Sequence, residues 1–483
     1  MIPRVLLLTS SLLTDRMFMY SNCLKSLAAE CDLHIWATSA RKEDLAELWA
    51  RVWPEVRPFP KIRAYKEFPY NLLRRLNDFA WDYRHKTPSR RSINLHVREK
   101  EMPLTQRLLK GPAWGVAALG AEAAFESGLE RLLTSYSRSA EAYEQLQSLK
   151  PDVLVTTGPF QFEQPAIVGE ARRLGIPILC MIPSWDNLST KNRMVFDYDG
   201  YLLWSRRSRE ELHELYPGAR EKPVYIVGAS QFDVFFRPEF EMTREEFCSS
   251  QGLDPKRPIV LNGIGSPNMF REEHCSLQLA EQVTRWKLGN AQLLVRPHPI
   301  HDHVQMKELF KPFTRDVVLQ RTGDSHAHVT MRSQSENDIR EWVSTFRHSD
   351  VVVNLSSTVT IDAAICDKPV VNLDFDPQPG QPNQAFVKDV NHVWSHFKPI
   401  AESGGLWLAQ DMDDVIKAIN AYLANPKLHA ERRRWMAEFV CGYIDGRCGE
   451  RLGAAISEFA RMHAASGARR AGRPAGSAAR AGV

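Results

Sequence analysis

Two short stretches hold residues whose types and spacing suit phosphate chemistry. QLLVRPHP (292–299) is an apolar run ending in an Arg-Pro-His-Pro turn. SDVVVNLSSTVTIDAAICDKPVVNLD (349–374) reads as a buried strand, a Ser-Ser-Thr turn, a helix, a Lys-Pro break and a second buried strand. In an open parallel sheet, ligands bind beyond the carboxyl ends of the strands, where helix N-termini attract phosphate. Val351 to Asn354 would be such a strand. Ser356, Ser357 and Thr358 would start such a helix, their hydroxyls and the first-turn N–H groups forming an anion cradle. Arg296 and His298, ending another strand, bring the positive charge a diphosphate needs. Gly265-Ser266, after the strand 258–264, opens a small turn that tolerates phosphate. The expected ligand is a nucleotide diphosphate.

Positioning these residues takes more than one core. A chain of 483 residues implies two domains plus extensions. Val5–Ser10, a helix over 17–30 and Leu33–Ala37 make a β-α-β opening, which implies a parallel sheet. Strands recur at 152–157, 178–182, 200–204 and 224–228. A second set follows at 258–264, 292–296, 317–320, 351–354, 370–374 and 406–409. The fold class expected is therefore α/β, with two Rossmann-like, doubly wound parallel-sheet domains. The first covers 1–240, with a helical insertion at about 41–149. The second covers 241–440, followed by closing helices (441–463) and an Ala/Gly/Arg-rich tail (464–483) expected to be disordered.

Composition narrows the function classes. Hydrophobic content of 43% and charged content of 25% are ordinary for a soluble protein, and a net charge of +4 supports no nucleic-acid partner. Eight cysteines are scattered without a Cys-x-x-Cys pair, which suits reduced core thiols in a cytoplasmic protein. The start reads as a buried strand rather than a signal peptide, and no run approaches the ~20 apolar residues of a membrane span. The stretch 59–86 mixes aromatics with cations. It is either a solvated basic helix face or a surface for an acidic acceptor or for peripheral association with the inner face of the membrane.

Two such domains facing across a cleft, with a phosphate cradle in the second, form the plan of GT-B nucleotide-sugar enzymes. The Arg-Pro-His-Pro turn and the Ser-Asp, strand, Ser-Ser-Thr, Asp, Lys-Pro order (349–369) resemble the CDP-glycerol glycerophosphotransferase family and related surface-polysaccharide glycosyltransferases. Ser184-Trp185-Asp186-Asn187-Leu188 with Lys191, and GASQFD (228–233), look like pieces of the same type. The resemblance implies that Ser356, Ser357 and Thr358 hold a donor diphosphate beside Arg296 and His298. Asp362 would bond a ribose hydroxyl or orient the loop. It implies a base in the first domain, Asp186 first and Glu163 second, with His298 near the reacting centre, and it requires no metal and no cofactor. Asn354-Leu355 stands where CDP-glycerol enzymes often show an acid, which shifts the reading towards a sugar donor.

Competing readings attach to the same residues. Ser356-Ser357 is also an ordinary helix cap, and Asp186 an ordinary turn residue. His301 and His303 read as solvated loop residues, because no His-Glu-x-x-His pattern accompanies them. The favoured function is a glycosyltransferase that carries sugar from a nucleotide diphosphate to a surface-glycan or lipid-linked acceptor. The alternatives are a CDP-linked polyol-phosphate transferase, a UDP-sugar 2-epimerase-like isomerase, and a binding protein with no working base.

Overall fold

The computed structural model describes residues 2–63, 68–98, 102–267, 269–298, 300–313, 316–320 and 335–471, with side chains up to residue 464. The first sheet contains β1 (Arg4–Thr9), β2 (Asp32–Ala37), β3 (Arg57–Pro58), β4 (Val153–Thr156), β5 (Ile178–Met181), β6 (Gly200–Leu203) and β7 (Val224–Ile226). Its spatial order is β3-β2-β1-β4-β5-β6-β7. The second contains β8 (Ile259–Gly263), β9 (Gln292–Arg296), β10 (Val317–Leu319), β11 (Val351–Asn354), β12 (Val370–Leu373) and β13 (Trp407–Ala409), in the order β10-β9-β8-β11-β12-β13. Every pairing in both sheets is parallel. Each sheet thus reverses winding once, between β1 and β4 and between β8 and β11. The α/β reading with two doubly wound domains is borne out.

The strands were readable because they lack alternation. Every residue of β4, β5, β6, β11 and β12 is buried. Helices cover both faces of a parallel sheet, so its strands become continuous apolar runs. The helix expected over 17–30 is in fact two, Leu12–Met19 and Cys23–Ala28. Ser21 separates them: its Oγ donates to the Met17 carbonyl at 2.6 Å, a side-chain bond that competes with the helical ladder.

The chain leaves the first sheet after β7, builds the second domain and returns. Its last helix, Cys448–Ala471, lies against Cys23–Ala28 of the first domain. Small residues permit the close approach: a Cβ on Gly453 would stand 2.9 Å from the Cys23 carbonyl oxygen. Asp233, in the connection between the domains, anchors the start of this helix by accepting from Cys448 N at 3.0 Å and Gly449 N at 2.7 Å. Residues 464–471 continue that helix, so the part of the expected disordered tail inside the described residues is helical. The remainder, 472–483, lies outside them.

Between β3 and β4 stand the helices Tyr70–His85, Pro88–Ile93, Leu104–Leu108, Lys110–Ala118 and Glu122–Ser135. The basic residues of 59–86 divide: among the described ones Lys61, Arg63, Arg84 and Lys86 are exposed, as a solvated face requires, while Arg74 is not. Arg74, Asn77, Asp78 and Trp81 are buried, and Arg74 donates to the carbonyls of Phe160 (2.6 Å) and Gln161 (2.8 Å) beyond β4. The buried guanidinium satisfies loop carbonyls that water cannot reach. The insertion also touches the second domain: Ser92 Oγ donates to Asp389 at 2.7 Å, and the His96 ring stacks on Phe386 at 4.9 Å.

Asp233→Ala should free two N–H groups at the start of the closing helix. The expected cost is about 1–2 kcal/mol, and the unfolding midpoint should fall by roughly 2–4 °C per kcal/mol. Thermal unfolding followed by circular dichroism checks it. An unchanged midpoint would remove Asp233 as the anchor.

Candidate functional site

The carboxyl ends of both sheets face one another, and each reversal point is filled by a side chain of its own domain. In the first, Gln164 Oε1 accepts from Thr156 Oγ1 (2.7 Å), Thr157 N (2.9 Å) and Gly158 N (3.0 Å), while its Nε2 donates to Ser10 Oγ at 2.7 Å. In the second, Glu272 accepts from Gly265 N at 3.0 Å and Leu355 N at 3.2 Å. Gly265 is needed there, because a Cβ would collide with the Glu272 carboxyl. Burial pushes the Glu272 carboxyl up to about 8 against the two hydrogen bonds that lower it. Sequence reasoning missed both plugs, and placed Gly265 and Ser266 as a phosphate turn. In the structure the Gly265 N–H is taken by Glu272, and the Ser266 carbonyl accepts from Met269 N at 2.9 Å.

The Ser-Ser-Thr turn sits at the end of β11, before a helix of seven residues, Val359–Ile365. Ser356, with φ +40°, gives its Oγ to Asn391 Oδ1 at 2.5 Å. Ser357 gives its N–H (3.0 Å) and Oγ (3.2 Å) to Asn354 Oδ1. Thr358 occupies the N-cap position without a side-chain cap bond and is exposed. Two of the three expected phosphate hydroxyls are therefore engaged by asparagine side chains, Ser356 by Asn391 and Ser357 by Asn354. Asn354 also donates to Asn372 Oδ1 at 3.0 Å, so its amide has a local structural task rather than one in donor choice.

Positive charge gathers one step away, between the domains. Arg296 ends β9, and its Nη1 donates to Gln320 Oε1 at 2.9 Å. Arg16, on the helix after β1, lies over the Trp342 ring at 4.2 Å, and its buried Nε has no acceptor among the described residues. Trp342 directs its indole N–H at Asp362. Burial raises the Asp362 carboxyl to about 7, although Arg16 and Arg296 both pull it down. Burial likewise draws Arg16 down to about 10, with Asp362 opposing and Arg296 reinforcing. Burial lowers Arg296 too, against Glu341, Asp362 and Asp338. Two guanidiniums from opposite domains thus lie within electrostatic reach of one carboxyl that is only partly ionised near neutral pH. Arg16 had a readable signal: it lies just beyond the carboxyl end of the first strand, where a doubly wound sheet puts its ligands.

His298 stands beside this cluster, half-buried, its Nδ1 accepting from Ile300 N at 3.2 Å. In the neutral ring the proton then sits on Nε2. His301 Nδ1 faces the His298 carbonyl, and His303 begins the next helix. Pro299, inside the Arg-Pro-His-Pro turn, lies outside the described residues, as does Asn268. Among the described residues no three His, Cys, Asp or Glu side chains gather in a way that could hold a metal ion.

The two expected bases differ in surroundings. Asp186 is half-buried and accepts from Ser184 Oγ (2.5 Å), Asn187 Nδ2 (3.2 Å) and Thr190 Oγ1 (3.1 Å). Burial works to raise its pKa, but His396, Lys191 and these hydrogen bonds leave it below the usual value. Burial lowers His396 to about 4, so this ring is neutral at pH 7 and the hydrogen bonds with Lys191 carry the effect there. The neighbouring Trp185 meets His396 edge-on at 5.0 Å, making this loop an interdomain contact. Glu163 precedes the helix Gln164–Arg173, is half-buried, and lies within electrostatic reach of Arg74. Sequence reasoning also missed Asp15 and Glu211, buried carboxyls raised to about 6 and about 7 by burial.

No family model matches the sequence, and no curated protein does. The resemblance to the CDP-glycerol transferases therefore rests on the motif residues alone. Solved structures do match. A putative UDP-N-acetylglucosamine 2-epimerase from Listeria monocytogenes aligns over 95% of this chain and 97% of its own, with TM-score 0.55 and 12% identity. A UDP-GlcNAc 2-epimerase from Neisseria meningitidis bound to UDP-GlcNAc aligns over 94% and 100%, with TM-score 0.53 and 12% identity. A glycosyltransferase from Rickettsia africae aligns over 95% and 99%, with TM-score 0.51 and 11% identity. The fold is GT-B. At such identities the likeness establishes architecture, and function must be argued from the site.

Glu272 generates a test of the site's electrostatics. Its folded pKa lies above the ordinary 4.5, so the folded state binds more protons between pH 4.5 and 8. Its stabilising effect is complete below 4.5 and is lost as pH rises through about 8, by up to about 5 kcal/mol. Glu272→Gln gives up one hydrogen bond at every pH but should flatten this slope. Urea midpoints at pH 5 and pH 8.5 measure it; parallel slopes for the two proteins would contradict the assignment.

Proposed function

We propose that this protein is a glycosyltransferase that moves a sugar from a nucleotide-diphosphate donor to a surface-glycan or lipid-linked acceptor. The observation that carries the reading is that Arg16, stacked on Trp342 of the other domain, and Arg296 both lie within electrostatic reach of Asp362. Departure of a nucleoside diphosphate from an anomeric carbon concentrates negative charge on the diphosphate oxygens. Fixed cations aimed at that charge lower the barrier. Arg16 and Arg296 supply them, with His298 two residues beyond Arg296 and the exposed Thr358 on the second-domain side. This set acts without a metal. The acceptor hydroxyl attacks the anomeric carbon, the bond from that carbon to the diphosphate oxygen breaks, and the hydroxyl proton passes to a first-domain carboxylate. Glu163 is the better candidate, because the Asp186 carboxylate is held below its usual pKa and is the weaker base for it.

A second reading has its own support. Asp15, Glu211 and Asp362, with pKa values of about 6, about 7 and about 7, are carboxyls able to exchange protons near neutral pH. Reversible proton removal at a sugar carbon needs such groups, and several matching structures carry the name UDP-N-acetylglucosamine 2-epimerase. The CDP-linked polyol-phosphate alternative is left with the motif resemblance alone.

Incubation with UDP-, GDP- and CDP-linked sugars, with and without a lipid-glycan extract, separates these readings. Acceptor-dependent release of nucleoside diphosphate is the transferase result. Acceptor-independent conversion of the sugar at C2, with the nucleotide retained, would replace it by the isomerase. Glu163→Gln should lower turnover by about 10²–10⁴-fold with unchanged donor affinity. Asp186→Asn should act mainly on stability, and a larger turnover loss there than at Glu163 would reverse the assignment.

A further inference from the structure

The surface of the insertion is unlike the rest of the molecule. Residues 59–110 hold 13 Lys and Arg against five Asp and Glu, whereas the whole chain holds 62 against 58. Directly after this basic stretch, residues 111–121 (GPAWGVAALGA) contain no charge at all. Yet the segment is on the outside. Leu104 and Leu108, one turn apart, are 72% and 68% exposed, Trp114 is 63% exposed and Leu119 83%. Only Ala113 of the helix Lys110–Ala118 is fully buried, where that helix meets Tyr70–His85. Exposed single leucines are ordinary on a protein surface, but four large apolar side chains on consecutive elements are not.

We infer that the face formed by Leu104–Leu108 and Lys110–Ala118 docks on a bilayer surface bearing anionic headgroups. Leucine and tryptophan are the residues that enter the interfacial layer, and flanking cations hold the headgroups. The cations are in place. Lys86 and Arg91 are exposed and have no ion-pair partner among the described residues. With Lys110 they edge a groove of about 790 Å³ whose apolar wall includes Phe79, Tyr83 and Leu95. No helix among the described residues is long and apolar enough to cross a membrane, so the contact is with one leaflet. The face lies downstream of the 59–86 stretch, whose central helix turns Trp81 and Arg74 inward. The inference does not depend on the transferase reading.

Flotation of the intact protein with vesicles of phosphatidylcholine, with and without phosphatidylglycerol, tests the proposal. Binding to the anionic vesicles should be about tenfold stronger and should weaken with salt. L104D/L108D should lower it at least about tenfold, with an unchanged unfolding midpoint as the control for folding. K86E/R91E alters exposed charges alone and should abolish the preference for anionic vesicles. No binding by the unmodified protein, or equal binding by L104D/L108D, would overturn the inference. So would a vesicle-free dimer that L104D/L108D dissociates, since the face would then belong to a second copy of the chain.

Discussion

The arrangement rests on a buried charge imbalance between two domains. Taking a guanidinium out of water costs several kcal/mol unless an anion meets it. Arg16 brings one from the first domain and Arg296 another from the second, and Asp362, within electrostatic reach of both, is raised towards neutrality by its own burial. Trp342 holds the group together, with its face under Arg16 and its N–H at Asp362. Such a cluster favours an anion with several oxygens, because a diphosphate can face both guanidiniums at once.

Other features keep this site in place. The closing helix ties the second domain's chain to the first, Asp233 fixes its start, and the insertion reaches across to Asp389 and Phe386. The two reversal points differ from the open crevices that doubly wound sheets often present. Gln164 fills one with a neutral amide and Glu272 the other with a carboxyl. Both satisfy backbone N–H groups that a phosphate would otherwise take, so the proposed donor would meet the side chains of Arg16 and Arg296 instead. On this account cations recognise the donor more than backbone N–H groups do.

Much of the architecture was legible in the sequence. Val351–Asn354 and Val153–Thr156 announced themselves as apolar runs, since parallel strands are covered on both faces. The two-residue edge strand Arg57–Pro58 has too few residues for any periodicity. Arg296 and His298 were visible from their place at a strand end, but the use of the Ser356 and Ser357 hydroxyls was not. That depends on Asn391 and Asn354, of which Asn391 lies 35 residues away in sequence. Arg16 acquires its meaning only when Trp342 and Asp362 arrive from the other domain. Trp81 and Trp114 are the same residue type in the same helical insertion, yet one is buried and the other exposed. Tertiary packing decides between them, and composition alone does not.

The central claim is that both domains contribute cations to one diphosphate. Calorimetric titration of a nucleoside diphosphate and its monophosphate into the unmodified protein, Arg16→Ala, Arg296→Ala and the double variant tests it most directly. The account predicts a preference for the diphosphate of at least about tenfold. Each single variant should lose about 1.5–3 kcal/mol of binding, and the double variant should lose the preference altogether. Equal affinities for the two nucleotides, or an Arg16→Ala variant that binds as the unmodified protein does, would contradict it.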